Sequence, residues 1–148
     1  MNNVFDSMFL IALALVGIDI TIYVLAVTLL GDAIKLFYKT RSSFSAEKEL
    51  QNEQIRLSDV NKISHHFEII NKLSFTNAVT FPSLFFVIAI MASVWGRYTA
   101  ETQNKTDWGW FAITIMATLV GIGFLVKTLK AMEEVSVASA DEKAKTKS

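Results

Sequence analysis

Apolar residues in this chain gather into three blocks, at about 8–30, 78–95 and 108–126, separated by stretches rich in charged and polar residues. A helix rises about 1.5 Å per residue, so a block of about 18 residues or more crosses the ~30 Å hydrocarbon core of a bilayer. The first block, MFLIALALVGIDITIYVLAVTLL, breaks its apolar run with little besides Asp19, Tyr23 and scattered threonines. It lacks the polar face that a helix of a soluble bundle turns to water. Aromatic rings mark the ends of the other two: Trp95 and Tyr98 close the second, and Trp108 and Trp110 open the third. Indole and phenol rings favour the headgroup level. The pattern predicts an all-α integral membrane protein with three transmembrane helices.

The polar stretches carry a pattern of their own. After Gly31 the first span is expected to continue as a short amphipathic helix, with Ile34, Phe37 and Tyr38 on one side and Lys35, Lys39 and Arg41 nearby. Ser42 and Ser43 are expected to break it. Ser45 then offers an N-cap, with Glu47 and Glu49 placed to complement the dipole of a new helix. A second break is expected near Ser58. Val60, Ile63, Phe67 and Ile70 recur at three- and four-residue steps, one face of a stalk that leads into the second span. That stripe has three possible cover surfaces: the Ile34/Phe37/Tyr38 face, a neighbouring copy, or lipid. Residues 1–130, including the amphipathic helical loop 31–77, read as a single three-span domain. Residues 131–148, ending in ASADEKAKTKS, are small, polar and mixed in charge, and read as a disordered tail.

Charge adds a direction to this layout. The formal net charge of the 148 residues is zero, but the cations are unevenly placed. Twelve of the 14 Lys and Arg lie in the 31–77 loop or after the third span, against Arg97 and Lys105 between the second and third. Cytoplasmic flanks collect such residues, which places the chain in the cell membrane as a multi-pass protein with its N-terminus outside and its C-terminus in the cytoplasm. The first block is too long for a signal-peptide core, and MNNVFDS has no basic residue, so it is expected to remain as a span. With no cysteine, disulfides, thiolate metal sites and cysteine nucleophiles are excluded. Balanced charges give nucleic acid no electrostatic footing. Asn104-Lys105-Thr106 matches a glycosylation acceptor, a pattern that three residues meet readily by chance.

Asp19 is the residue that most needs explaining. An acid at mid-span costs about 2.5–3.5 kcal/mol on insertion scales, while each Leu, Ile, Val or Phe returns about 0.3–0.6 kcal/mol. Fourteen such residues share its block, so the span tolerates it. No Lys, Arg or His lies within the three blocks, and desolvation without a cation favours a neutral carboxyl that seeks hydroxyl partners. Thr80, Thr114 and Thr118 are the expected ones. Three roles are open to Asp19: an interhelical hydrogen bond, contact with a partner subunit, and proton or cation handling. Small residues four apart, Gly17 with Thr21, Ala89 with Ser93, Ala92 with Gly96 and Ala117 with Gly121, mark expected close helix approaches. Pro82, early in the second block, is expected to start or kink that helix. His65 and His66 diverge by about 100° on a helix, which disfavours a shared metal.

No catalytic, metal-binding or phosphate-binding motif is present, and no cofactor is expected. The expected function is a non-catalytic membrane protein, held by helix packing in the lipid bilayer as a subunit of a complex with other membrane proteins or with copies of itself. A small ion or proton channel, or a holin-like pore, with Asp19 in the conducting path is the alternative, followed by an accessory subunit of a membrane enzyme.

Overall fold

The computed structural model describes residues 3–50, 57–103 and 107–147, and every element in it is helical. Helix α1 spans Asn3–Leu50, α2 Leu57–Lys72, α3 Phe81–Gln103 and α4 Trp108–Lys147, with a π-helical turn at Thr76–Thr80 leading into α3. Three helices are long and apolar enough to cross a membrane, over Val4–Ser43, Thr76–Gln103 and Trp108–Asp141. Each contains one of the three apolar blocks.

Two side-chain pairs fix how α1 and α3 lie together. Arg97 Nη1 donates to Asp6 Oδ1 at 2.6 Å near the N-terminus of α1, and Ser83 Oγ donates to Asp19 Oδ2 at 2.6 Å. From one pair to the other α1 advances 13 residues and α3 retreats 14, so both helices cover about 20 Å in opposite directions. The spans are antiparallel and in step. Between these levels one alanine from each span, Ala12, Ala89 and Ala117, is buried against the other two. Such small side chains let three backbones approach closely.

Long aliphatic side chains point the other way. Leu10, Leu25, Met91, Met116 and Leu119 are all exposed on the outer surface of the bundle. This is the arrangement a lipid solvent selects, because hydrocarbon solvates a leucine as well as a protein core does.

The helices do not stop where the apolar blocks stop. Helix α1 has 48 residues and α4 has 40, so they extend about 72 and 60 Å, roughly twice the hydrocarbon thickness. Their overhang lies at the lysine-rich end, where α2 packs against both. Ala26 and Ala33 of α1, Ile69 and Leu73 of the α2 end, and Ala131 and Val135 of α4 form one buried cluster. This cluster joins the spans to a three-helix stalk.

Several expectations about the polar segments are corrected here. Ser42 and Ser43 do not break α1, which continues to Leu50; Ser42 Oγ instead donates to Lys39 O of its own helix at 2.9 Å. Ser45 is accordingly inside a helix rather than capping one. The break expected near Ser58 falls next to the start of α2 at Leu57, and residues 51–56 lie outside the described ones. The expected stalk stripe holds only in part: Ile70 packs against the buried cluster and Ile63 is half-buried, but Phe67 and Val60 are exposed, and the deepest residues are Ile69 and Leu73. Ile34 and Tyr38 are also exposed, and Ala33 provides the contact surface instead. The tail expected to be disordered is helical to Lys147, and Ala131 and Val135 at its start are buried.

The approach to α3 shows how Pro82 is accommodated. Proline has no N–H and its ring collides with the carbonyl four residues earlier in an α-helix. Here the preceding turn is widened, with the Phe81 N–H bonded to Thr76 O, five residues back. Asn77 Nδ2 donates to Asn71 O at 2.8 Å and ties this turn to the end of α2.

Candidate functional site: the buried Asp19–Ser83 pair and the outer charge cluster

Asp19 is 0% exposed, enclosed by α1, α3 and α4. Away from the stalk lies the alanine contact of Ala12, Ala89 and Ala117, and Ile22, Phe86 and Leu125 form a second buried cluster of the spans. Ser83 Oγ reaches Oδ2, whereas Oδ1 is buried without a hydrogen-bond partner. Two helices are thus joined at mid-span by a short hydroxyl–carboxyl bond, with no basic group beside it.

The threonines expected to serve Asp19 do other work. Thr80 lies exposed in the π-helical turn. Thr114 Oγ1 donates to Trp110 O at 2.9 Å and Thr118 Oγ1 to Thr114 O at 2.8 Å, each one turn back on α4. Buried Ser93 and Thr128 satisfy themselves in the same way on Ala89 O and Phe124 O. A hydroxyl that can reach the i−4 carbonyl needs no partner on another helix. Ser83 was missed because it sits beside the proline, but the charges hold a signal for it. If Asp6 is paired with Arg97, counting 13 residues inward along each antiparallel helix arrives at Asp19 and Leu84, next to Ser83.

The small-residue candidates divide by face. Ala92, Gly96, Ala117 and Gly121 are buried. A Cβ on Gly96 would strike the Phe5 ring, and one on Gly121 would strike Phe86. Gly17 and Thr21 face outward: nothing lies near a Cβ built on Gly17, and Thr21 Oγ1 donates to Gly17 O at 2.9 Å within α1.

At the end of the bundle opposite the stalk, Arg97 lies between two acids. Its Nη1 meets Asp6 at 2.6 Å and its Nε meets Glu101 Oε1 at 3.0 Å, with all three side chains about half exposed. Trp95 stands beside Tyr98 and Trp110, ring centroids 5.8 and 6.3 Å apart, so aromatic rings occupy the same level. At the stalk end, His65 Nε2 lies 3.7 Å from Glu134 Oε2, linking α2 to α4. His66 is held below its ordinary value of 6.5, first by burial and then by the neighbouring charge of His65. Among the described residues no group of His, Asp and Glu is placed to hold a metal ion. Asn104 lies outside the described residues.

No protein-family model matches the chain, and no curated protein or solved structure is similar to it, so its function is read from this geometry.

Proposed function

We propose that this chain is a non-catalytic integral membrane protein that works as a subunit of a membrane assembly, formed with other membrane proteins or with further copies of itself. The observation that carries the proposal is the enclosure of Asp19. The one ionisable side chain in the middle of the spans is sealed within a single chain and bonded to Ser83. Such a group strengthens packing of α1 on α3. The long stalk supports an assembly role, because it carries Tyr38, Phe67 and Val137 exposed beyond the three apolar blocks. The N-terminus lies outside and the stalk in the cytoplasm, a reading supported by twelve basic residues in the sequence stretches 31–77 and 127–147 against two between the second and third apolar blocks.

A second reading draws on one specific atom. Oδ1 of Asp19 has no partner, and unpaired intramembrane acids mark ion and proton paths. In that case Asp19 lines a conducting path in an oligomer. Liposomes containing the purified chain separate the two readings. The subunit proposal expects no ion flux, and a larger species containing the chain after mild extraction from its native membrane. Flux that Asp19→Asn abolishes, with assembly intact, overturns it in favour of conduction.

A further inference from the structure

The outer charge cluster borders an open cleft of about 360 Å³ between α1 and α3. Its floor is apolar, formed by Phe5, Phe9 and Val94, and its rim is charged, formed by Asp6, Arg97 and Glu101. Tyr98 stands at the side. Val94 of the floor is exposed on the lipid-facing surface of α3, and the rim lies at the level of Trp95 and Trp110. Aromatic rings of this kind settle among headgroups. A cleft that is apolar toward the membrane centre and ionic toward its surface has the polarity of a phospholipid.

The arrangement of charge selects among phospholipids. Arg97 uses Nε for Glu101 and Nη1 for Asp6. A guanidinium has five N–H donors, so three remain for a phosphate, one on Nη1 and two on Nη2, and guanidinium groups bind phosphate well. Asp6 and Glu101 each meet Arg97 through one oxygen, Oδ1 and Oε1. Their second oxygens are acceptors on either side of the cation. The cluster carries two carboxylates and one guanidinium, a net charge of −1, which disfavours a headgroup that brings only a phosphate. A headgroup with a phosphate and a primary ammonium meets both signs at once. A quaternary choline has the charge but no N–H to donate.

We propose that this cleft is a binding site for a phosphoethanolamine lipid of the adjoining leaflet, its phosphate on Arg97, its ammonium on Asp6 and Glu101, and an acyl chain along Phe5, Phe9 and Val94. The inference rests on the reading of the helices as membrane spans, and it does not depend on which side of the membrane the cluster faces. Bound this way, the lipid staples the outer ends of α1 and α3 at the level where Phe5 lies over Gly96.

The test uses the full chain in nanodiscs of phosphatidylglycerol with a minor share of phosphatidylethanolamine or phosphatidylcholine, followed by native mass spectrometry of the lipids retained. The expected result is enrichment of ethanolamine lipid over glycerol lipid by roughly tenfold, the scale of one charge-assisted hydrogen bond. Glu101→Gln removes one ammonium partner while keeping the Asp6–Arg97 tie between helices, and is expected to lose most of that enrichment. Lys127→Gln at the other end is expected to retain it. Equal retention of all three headgroups, or unchanged enrichment in Glu101→Gln, overturns the site. Vesicle flotation of the same preparation tests the underlying reading: a chain that does not float with vesicles overturns the spans, and one that floats without headgroup preference overturns the lipid site alone.

Discussion

Helices α1 and α4 each pass through two regions that are built on opposite plans. Along the spans most buried residues are small or polar, Ala12, Ala89, Ala117, Ser93, Thr114 and Asp19, with Phe5, Ile22, Phe86 and Leu125 as the large exceptions, while Leu10, Met91 and Leu119 face out. In the stalk Ile69, Leu73 and Val135 are buried together with Ala33 and Ala131, and charges such as Lys35, Glu68 and Lys72 cover the outside. The same two helices obey both plans because the solvent changes along their length. Burying a leucine against protein stabilises a fold strongly in water and hardly at all in lipid, where the alternative is another hydrocarbon. Spans are therefore held by close backbone approach and a few polar contacts. The stalk is held by the hydrophobic effect.

Truncation of a large core residue should expose the contrast most strongly. Leu73→Ala removes a fully buried side chain from the joint of stalk and spans, and is expected to cost about 2–5 kcal/mol, measured by reversible unfolding in mixed micelles. A loss below ~1 kcal/mol would mean that the stalk core does not close as described. Next come the glycines. Gly121→Ala forces a methyl group against the buried Phe86 ring, at an expected cost of about 1–3 kcal/mol. Gly17→Ala enters open space on the outer face, and is expected to be neutral or slightly stabilising because alanine favours helix. Equal effects at the two positions would contradict the assignment of inner and outer faces.

Ser83→Ala is expected to be milder, about 0.6–1.7 kcal/mol, the range of hydrogen bonds between helices in a bilayer. Ser93→Ala, whose hydroxyl turns back on its own helix, should cost less than Ser83→Ala in the same assay. The smallest effect concerns pH and belongs to the stalk alone. His66 has a folded value below its ordinary 6.5, so the unfolded chain binds its proton more tightly. Stability that is fully present above about pH 6.5 is therefore lost as the pH falls toward the folded value. The protection of α2 amides, taken relative to their intrinsic exchange rate at each pH, should fall on acidification, and His66→Gln should flatten that response.

How much of this was legible in sequence follows from the same contrast. Span existence depends on composition over about 18 residues or more, which a single chain displays openly. Stalk details depend on which residues meet, and there the largest apolar residues misled. Phe67 and Val60 suggested one face, whereas the buried face uses Ile69 and Leu73 with the half-buried His66 between apolar neighbours, a polar interruption that hides its period. Ser42 and Ser43 read as breakers because free serines compete with helix; Ser42 bonds within α1 instead. Asp19 was identifiable from its setting, but its partner depended on register, and register was set 20 Å away by Asp6 and Arg97. Thr80 was one turn too early, beyond Pro82 in a turn of different pitch.

The central claim is that one continuous helix leaves lipid and enters water between its two halves. Leu119 and Val137 of α4 test it directly, because they are equally open, 58% and 57% exposed, yet lie in different regions. The chain has no cysteine of its own, so Leu119→Cys and Val137→Cys each carry a single thiol. Labelling of native membranes with a water-soluble, membrane-impermeant maleimide should modify the cysteine at 137 rapidly once the stalk side is accessible, and leave the one at 119 unmodified from either side until detergent is added. Comparable labelling of both positions in intact membranes would contradict the account.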